Sequence, residues 1–456
     1  MSRYLPKGER FLPLVHNRAM AELADAVLPL IRTRADVWRW NVADGHGVQM
    51  HAAVDRLESA VDSDDPAVVL DVTQRAIASA VKVILRADDS SGIIGDAIRR
   101  LLDLHPRVAE RAKPSTRKLV DWMIKFQFGG EQDFFTIDPV AYATALADRG
   151  MVAYRKRLDQ IAAGLGPEPS DDQEHAAFQN RLDDPGSYER MANDRHARFL
   201  LEWNAKRLAV FDRDAEAIIR THAKDRRVAA WFEDTARALE EIGEIDLAID
   251  WARRATNFDY GHQSVRAARY WCDLLTEHRP GDLLDARLMV FRRWPDSGHA
   301  AQVHSALGQD WPTYRDEVMA ALRPSPRDSV LFAFDSLDDL ELAWSLAHEL
   351  SLDDTGLWGR LGRAYEKVDP AAVLPLYTQL VVSGLQAADA RVYRDQARRL
   401  AKMRRLAATI GADAEVDALI AQLRDTHKRR PRLQQEFDRA GLPSPKPGPL
   451  TMRSEL

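Results

Sequence analysis

The chain has 456 residues, 45% hydrophobic and 29% charged, with a formal net charge of -6. That balance excludes a disordered chain and a protein that coats nucleic acid by bulk charge. The length exceeds the roughly 250–300 residues over which a single core grows, so two domains or an elongated solenoid are expected.

From its start, Met1 to Pro13 carries Lys7, Glu9 and Arg10 where a signal peptide needs an apolar core. No later stretch approaches the ~20 apolar residues that cross a bilayer, so the expectation is a cytoplasmic protein with no membrane partner. Arg outnumbers Lys by 52 to 12, the usage expected of a GC-rich bacterial genome.

Helical spacing begins with Leu23, Val27, Leu28 and Ile31 on one face. Val69, Val72, Ala76, Ile77, Ala80, Val83 and Ile84 form a stripe broad enough for a buried helix. Ile94, Ile98, Leu101 and Leu102 predict a further helix, and Leu119, Trp122, Met123 and Phe126 another. Asp65-Pro66, Asp138-Pro139 and Asp369-Pro370 each predict a helix start. There the carboxylate accepts from free backbone N–H groups, and proline lacks the one that would be orphaned. Gly150 and Gly243 are expected to end helices.

Gly164 to Ser187 is rich in Gly, Pro and acids, which predicts a boundary. Beyond it the spacing becomes repetitive. Trp358, Leu361, Gly362 and Tyr365 match the Trp-x2-Leu-Gly-x2-Tyr pattern of the first helix of a tetratricopeptide (TPR) repeat, and Asp369-Pro370 then opens the partner helix. A second copy runs from Ala229 to Tyr260. Phe232, Ala236 and Leu239 lie on its first helix, Gly243 makes the turn, and Ala248, Ala252 and Ala255 lie on the second helix. Two degenerate pairs stand between them: Val265–Leu275 with Leu283–Phe291, and Val303–Leu322 with Leu340–Leu350. The predicted fold is therefore all-α, a TPR-like α-α superhelix preceded by an N-terminal helical domain. The expected divisions are an N-terminal helical domain (1–164), a linker (165–187), a TPR-like repeat domain (188–441) and a disordered tail (442–456). The four prolines at 443, 445, 447 and 449 predict the tail, since they cannot continue a helix.

Three stretches carry a likeness to a known family. Ala87-Asp88-Asp89-Ser90-Ser91-Gly92 runs through Ile93-Ile94-Gly95 to Leu104-His105; 227–255 holds the alanine-rich pair; and 393–441 includes Tyr393, Ala397, Leu400, Met403 and His427-Lys428-Arg429-Arg430. Together, over about residues 70–441, these resemble the helical region that follows the zinc module in bacterial SWIM zinc-finger proteins. The resemblance implies a helical region, not a zinc site. The SWIM module needs Cys-x-Cys and a later Cys-x-His, and Cys272 is the single cysteine of the chain.

No spacing collects catalytic groups, and neither a cofactor nor a metal ion is expected. Asp88–Gly92 lacks the alternate oxygen ligands of a calcium loop, with Arg99 at its twelfth position, and reads as a capped turn before Ile93. His46 with His51, and His299 with His304, are five apart, whereas one helical face needs three or four, so they read as surface or loop residues. Phe126–Gly130 has no phosphate-loop Lys. Trp231, Trp251, Trp271, Trp344 and Trp358 are expected to pack the repeats.

Two sets of residues remain for function. In the TPR register the groove of a non-enzymatic scaffold, which takes a protein or peptide partner, includes Arg237, Glu241, Arg363 and Lys367. The second set belongs to residues 391–440, where 13 Lys and Arg face 7 Asp and Glu. Arg398, Arg399, Lys402, Arg404 and Arg405 share one helix there, and Lys428, Arg429 and Arg430 end another. These offer an anionic partner such as nucleic acid as the alternative, with an enzyme of unrecognised kind as the third reading.

Overall fold

In the computed structural model, residues 12–129, 134–386 and 389–443 are described. The predicted tail lies outside them beyond Pro443, as does the start of the chain before Leu12. The described residues hold helices and no strand, and no helix among them is long and apolar enough to cross a membrane. The chain divides into two compact units, Met1–Phe258 and Asp259–Leu456.

The first unit opens with α1 (Leu12–Ile31), α2 (Trp40–Ser63), α3 (Pro66–Ile84), α4 (Ile93–Ala112) and α5 (Thr116–Phe128). It continues with α6 (Ala143–Gly164), α7 (Asp171–Gln179), α8 (Pro185–Phe211), α9 (Ala215–His222), α10 (Ala229–Glu241) and α11 (Ile245–Thr256). The glycine- and proline-rich stretch 165–187 lies inside this unit, where Ser170 caps α7 in a capping box with Gln173.

The α3 stripe does what its spacing predicts: Val69, Val72, Ala76 and Ala80 are fully buried. Asp65 caps the helix by accepting from Ala67 N at 2.9 Å. The Asp88–Gly92 segment is a capped turn, in which Asp89 accepts from the backbone N–H groups of Ile94 and Gly95, both at 2.9 Å. Both histidines of the first pair lie on α2, and His46 corrects the reading of surface or loop residues because it is buried, whereas His51 is half-buried. His46 is buried against the Ile31 carbonyl and His51 bonds the Ile93 carbonyl. Gly150 is a second correction. It lies within α6, whose break falls at Ala147 (φ 49°, ψ -176°). A Cβ on Gly150 would meet Leu146 Cβ at 2.9 Å, so glycine serves close approach there, not termination. Asp138-Pro139 opens a short 3-10 turn, Pro139–Tyr142, ahead of α6.

A closed ring of buried polar groups ties α5, α6 and α8 together. Gln127 donates to the Tyr154 hydroxyl (2.7 Å), Tyr154 donates to Asn204 Oδ1 (2.7 Å), and Asn204 donates back to Gln127 (3.1 Å). The pair α10–α11 turns at Gly243, whose φ of 83° favours glycine. Ala236 on one helix and Ala248, Ala252 and Ala255 on the other are fully buried, so the small residues sit where two backbones approach.

The second unit contains α12 (His262–His278), α13 (Leu283–Arg293), α14 (Ser297–Leu307), α15 (Trp311–Leu322) and α16 (Pro326–Leu331). A π-helical turn, Phe332–Ser336, follows. Then come α17 (Leu340–Glu349), α18 (Thr355–Tyr365), α19 (Pro370–Gln386), α20 (Ala390–Ala408), α21 (Asp413–Thr426) and α22 (Pro431–Arg439). The stretch 303–322 spans parts of two helices, because Gly308 adopts φ 52° between them. His299 and His304 both lie on α14.

The matched TPR motif has a physical role in each residue. Leu361 is fully buried. Gly362 lets α19 come close: a Cβ there would stand 2.9 Å from Tyr377 Cε1 and 3.1 Å from Leu376 Cδ2. Tyr365 stacks on Trp344 (ring centroids 4.2 Å), and Trp358 meets the same ring edge-on. Of the five tryptophans assigned to packing, Trp251, Trp271 and Trp344 are buried and Trp231 and Trp358 are half-buried.

Candidate partner-binding site

The four groove candidates have different surroundings. On α10, Arg237 donates to Glu233 one turn back, from Nη2 at 2.8 Å and Nε at 3.1 Å. Glu241 accepts from Arg207 at 2.6 and 2.8 Å, and Arg207 also reaches Asp138 at 2.7 and 3.0 Å. Burial alone would lower the Arg207 pKa; hydrogen bonds to Glu241 and Asp138 outweigh it and raise the value. Glu241 therefore holds α10 to α8. By contrast, Arg363 on α18 and Lys367 in the turn after it are exposed and have no ion-pair partner among the described residues.

Half of the basic set is spent on structure. Arg404 forms a two-pronged pair with Asp417 at 2.6 and 3.2 Å, joining α20 to α21. Lys428 pairs with Asp425 at 3.3 Å, and Arg430 donates to the Leu385 carbonyl at 2.6 Å. Arg424, which the set leaves out, is the most committed cation of this segment. It is buried, and it donates to Asp438 at 2.8 Å and to Gln434 and the Leu442 carbonyl, both at 3.1 Å. Arg398, Arg405 and Arg429 remain exposed without a carboxylate in the described residues.

The fold joins the two candidate sets at Gly359. A Cβ placed there would stand 3.8 Å from Arg363 Nη1 and 3.9 Å from Arg399 Nη2, so the two guanidinium groups converge over the buried Gly359 of α18. Arg399 is half-buried and donates to Gln396 Oε1 at 3.1 Å. Its pKa is lowered, first by burial, with the neighbouring Arg363 charge adding to the effect. Lys402, one turn further along α20, pairs with Glu366 at 2.5 Å. Tyr377 donates its hydroxyl to the same carboxylate, and burial followed by Glu366 raises the pKa of that hydroxyl. Glu366 is thus occupied by Lys402 and Tyr377, while neither Arg363 nor Arg399 forms an ion pair among the described residues, and Tyr377 and Asp395 act on Arg399 only through longer-range charge.

Sequence reasoning missed Gly359, Tyr377, Glu366 and Gln396. Gly359 carries a legible signal, being a second glycine inside the TPR motif directly after Trp358. The others do not, because their role depends on α19 and α20 packing beside α18.

The sequence profile of DUF6880, a family of unknown function, matches residues 28–433, and the chain belongs to that family. No curated protein matches it.

Proposed function

We propose that this member of the DUF6880 family is a non-enzymatic scaffold of TPR-like helix pairs whose second unit holds an acidic segment of a protein partner along α18 and α20. The observation that carries this reading is the convergence of Arg363 and Arg399 beside Gly359, neither of them in an ion pair among the described residues. Two like charges held together, one half-buried, destabilise each other until an anion arrives. Arginine presents a planar fork that grips a carboxylate through two hydrogen bonds. Lys367, exposed in the turn that follows α18, extends the positive stripe. The Trp358–Tyr365 motif and the alanine-packed pair α10–α11 support the repeat architecture. The likeness to the SWIM helical region supports it as a helical region alone.

The test titrates the full chain with a labelled peptide of alternating Asp and Glu, about twelve residues long, with a Ser-Gly peptide and single-stranded DNA as comparisons. At about 50 mM salt, where screening is weak, the acidic peptide should bind and the Ser-Gly peptide should not. Arg363→Glu with Arg399→Glu should weaken it at least roughly tenfold. Arg237→Glu should leave the affinity unchanged. No binding of the acidic peptide, or tighter binding of DNA that survives the double substitution, would overturn the assignment.

A further inference from the structure

The first unit contains a cleft of about 240 Å3 between α3 and α5. Its walls are Ile77, Ala78 and Val81 on one side and Trp122 and Phe126 on the other, the two aromatic rings being only 14° from parallel. Asp71, Arg75 and Lys125 are the exposed charged residues of its lining and form the mouth, and half-buried Gln74, bonded to buried His105, forms the inner end. The volume lies below the roughly 300–1,000 Å3 of pockets that hold drug-sized ligands, which suits one or two fused rings.

The inner end is a chain of polar groups with a definite sense. Gln74 Nε2 lies 3.0 Å from His105 Nε2, and His105 Nδ1 lies 2.9 Å from the Tyr142 hydroxyl. The His105 ring is fully buried and stacked on Trp122 at 3.7 Å. Burial holds its pKa down at about 3, so the ring is neutral and carries one N–H. Two arrangements satisfy the distances, because a half-turn exchanges the amide's nitrogen and oxygen. If Gln74 N–H donates to His105 Nε2, then Nδ1–H donates to Tyr142, and the buried phenolic hydrogen has no acceptor. If the amide is turned over, Tyr142 O–H donates to Nδ1, and Nε2–H donates to the Gln74 carbonyl. Every buried hydrogen is then used, as buried polar groups require. In that arrangement the Gln74 NH2 is left pointing at the cleft as a donor.

We infer that this cleft binds a flat aromatic acid. Its rings lie along the Trp122–Phe126 wall, a ring nitrogen or carbonyl accepts from the Gln74 NH2, and its carboxylate sits at the mouth beside Lys125 and Arg75. Lys125 is exposed, and Arg75 is held only loosely by Asp71 at 3.4 Å, so the mouth carries net positive charge. The chain of hydrogen bonds fixes the donor before a ligand arrives, so little ordering is left to binding.

Calorimetry on the full chain with three probes tests this. Quinoline-4-carboxylate has both the ring acceptor and the acid, naphthalene-1-carboxylate lacks the acceptor, and quinoline lacks the acid. The first should bind with one-to-one stoichiometry, roughly tenfold more tightly than the second, the loss expected when a placed donor goes unmatched. Lys125→Ala should weaken both acids and leave quinoline unchanged. Ala78→Trp fills the cleft from an exposed wall position. It should abolish binding of all three while the helical circular dichroism and melting temperature stay those of the parent. Arg363→Glu, in the other unit, should change nothing. Failure of quinoline-4-carboxylate to bind at about 1 mM, or binding that survives Ala78→Trp, would overturn the site. Equal affinity for the naphthalene acid would overturn the Gln74 donor and with it the ligand class.

Discussion

Arg207 in the first unit and Arg399 in the second are both partly buried arginines on long helices, and their surroundings are opposite. Arg207 is gripped by Asp138 and Glu241, and its pKa is raised. Arg399 has no ion-pair partner among the described residues; burial lowers its pKa, Tyr377 and Asp395 oppose the shift, and the Arg363 charge adds to it. A buried cation whose acids lie within its own unit is a structural tie. A half-buried cation that lies beside another cation is, under the function proposed above, where an anion is taken. The same contrast runs through the two units. Polar groups close on one another in the Gln127–Tyr154–Asn204 ring, while the α18–α20 stripe stays open on the cationic side.

The strongest way to break this comparison is acid. Burial holds His105 at about 3 and His222 at about 4 in the first unit. Their folded values lie below the unfolded value of about 6.5, so the unfolded chain takes up protons first. Stability is full above about 6.5 and falls as pH drops towards the folded values, by roughly 1.4 kcal/mol per pH unit for each histidine. At pH 5 the first unit should have lost about 4 kcal/mol. In the second unit, hydrogen bonding to Asp296 raises the His299 pKa. That contribution is present below the unfolded value and is lost as pH rises through the folded one. Hydrogen exchange at pH 7 and pH 5 should therefore show the first unit loosening and α14 tightening. Equal protection of the first unit at both values would remove the basis for calling its histidines buried and neutral.

Next in size is Arg207→Met. It strands Asp138 and Glu241, and should cost about 2 kcal/mol in urea unfolding, below the full buried-pair value because both acids are partly solvated. Arg399→Met should do the reverse in the second unit. It relieves an unpaired charge and should leave stability unchanged or raise it by up to about 1 kcal/mol, while reducing binding of the acidic peptide. If both substitutions destabilised alike, Arg399 would be a structural tie and not a site. Between them falls Ala248→Leu, which overpacks the α10–α11 contact at about 1–3 kcal/mol. Limited proteolysis around 229–260 checks it, with the exposed Glu244→Lys as the variant expected to cut no faster than the parent.

Helices, caps and close contacts were legible where a local pattern dictates them. Asp65 and Asp369 cap as their Asp-Pro pairs predict. Gly243 turns left-handed between α10 and α11, and Gly362 is small because Tyr377 crosses it. The local rule failed where packing intervened. Gly150 was expected to end a helix, yet the break falls at Ala147 and the glycine makes room for Leu146. The histidines five apart read as surface or loop residues, yet both of the first pair are drawn onto backbone carbonyls by the helices around them.

The amino-acid pattern by itself determined the all-α class, most of the helix starts, and the alanine and glycine positions at which helices touch. Those follow from hydrogen-bond geometry and side-chain size within a few residues. The tertiary structure alone decided which cations are ties and which are open. Arg363 and Arg399 are separated by 36 positions in the chain and meet because α19 brings α20 back beside α18. A charge has no fixed meaning in sequence: its state depends on what else lies within a few ångströms and on how much water is left around it.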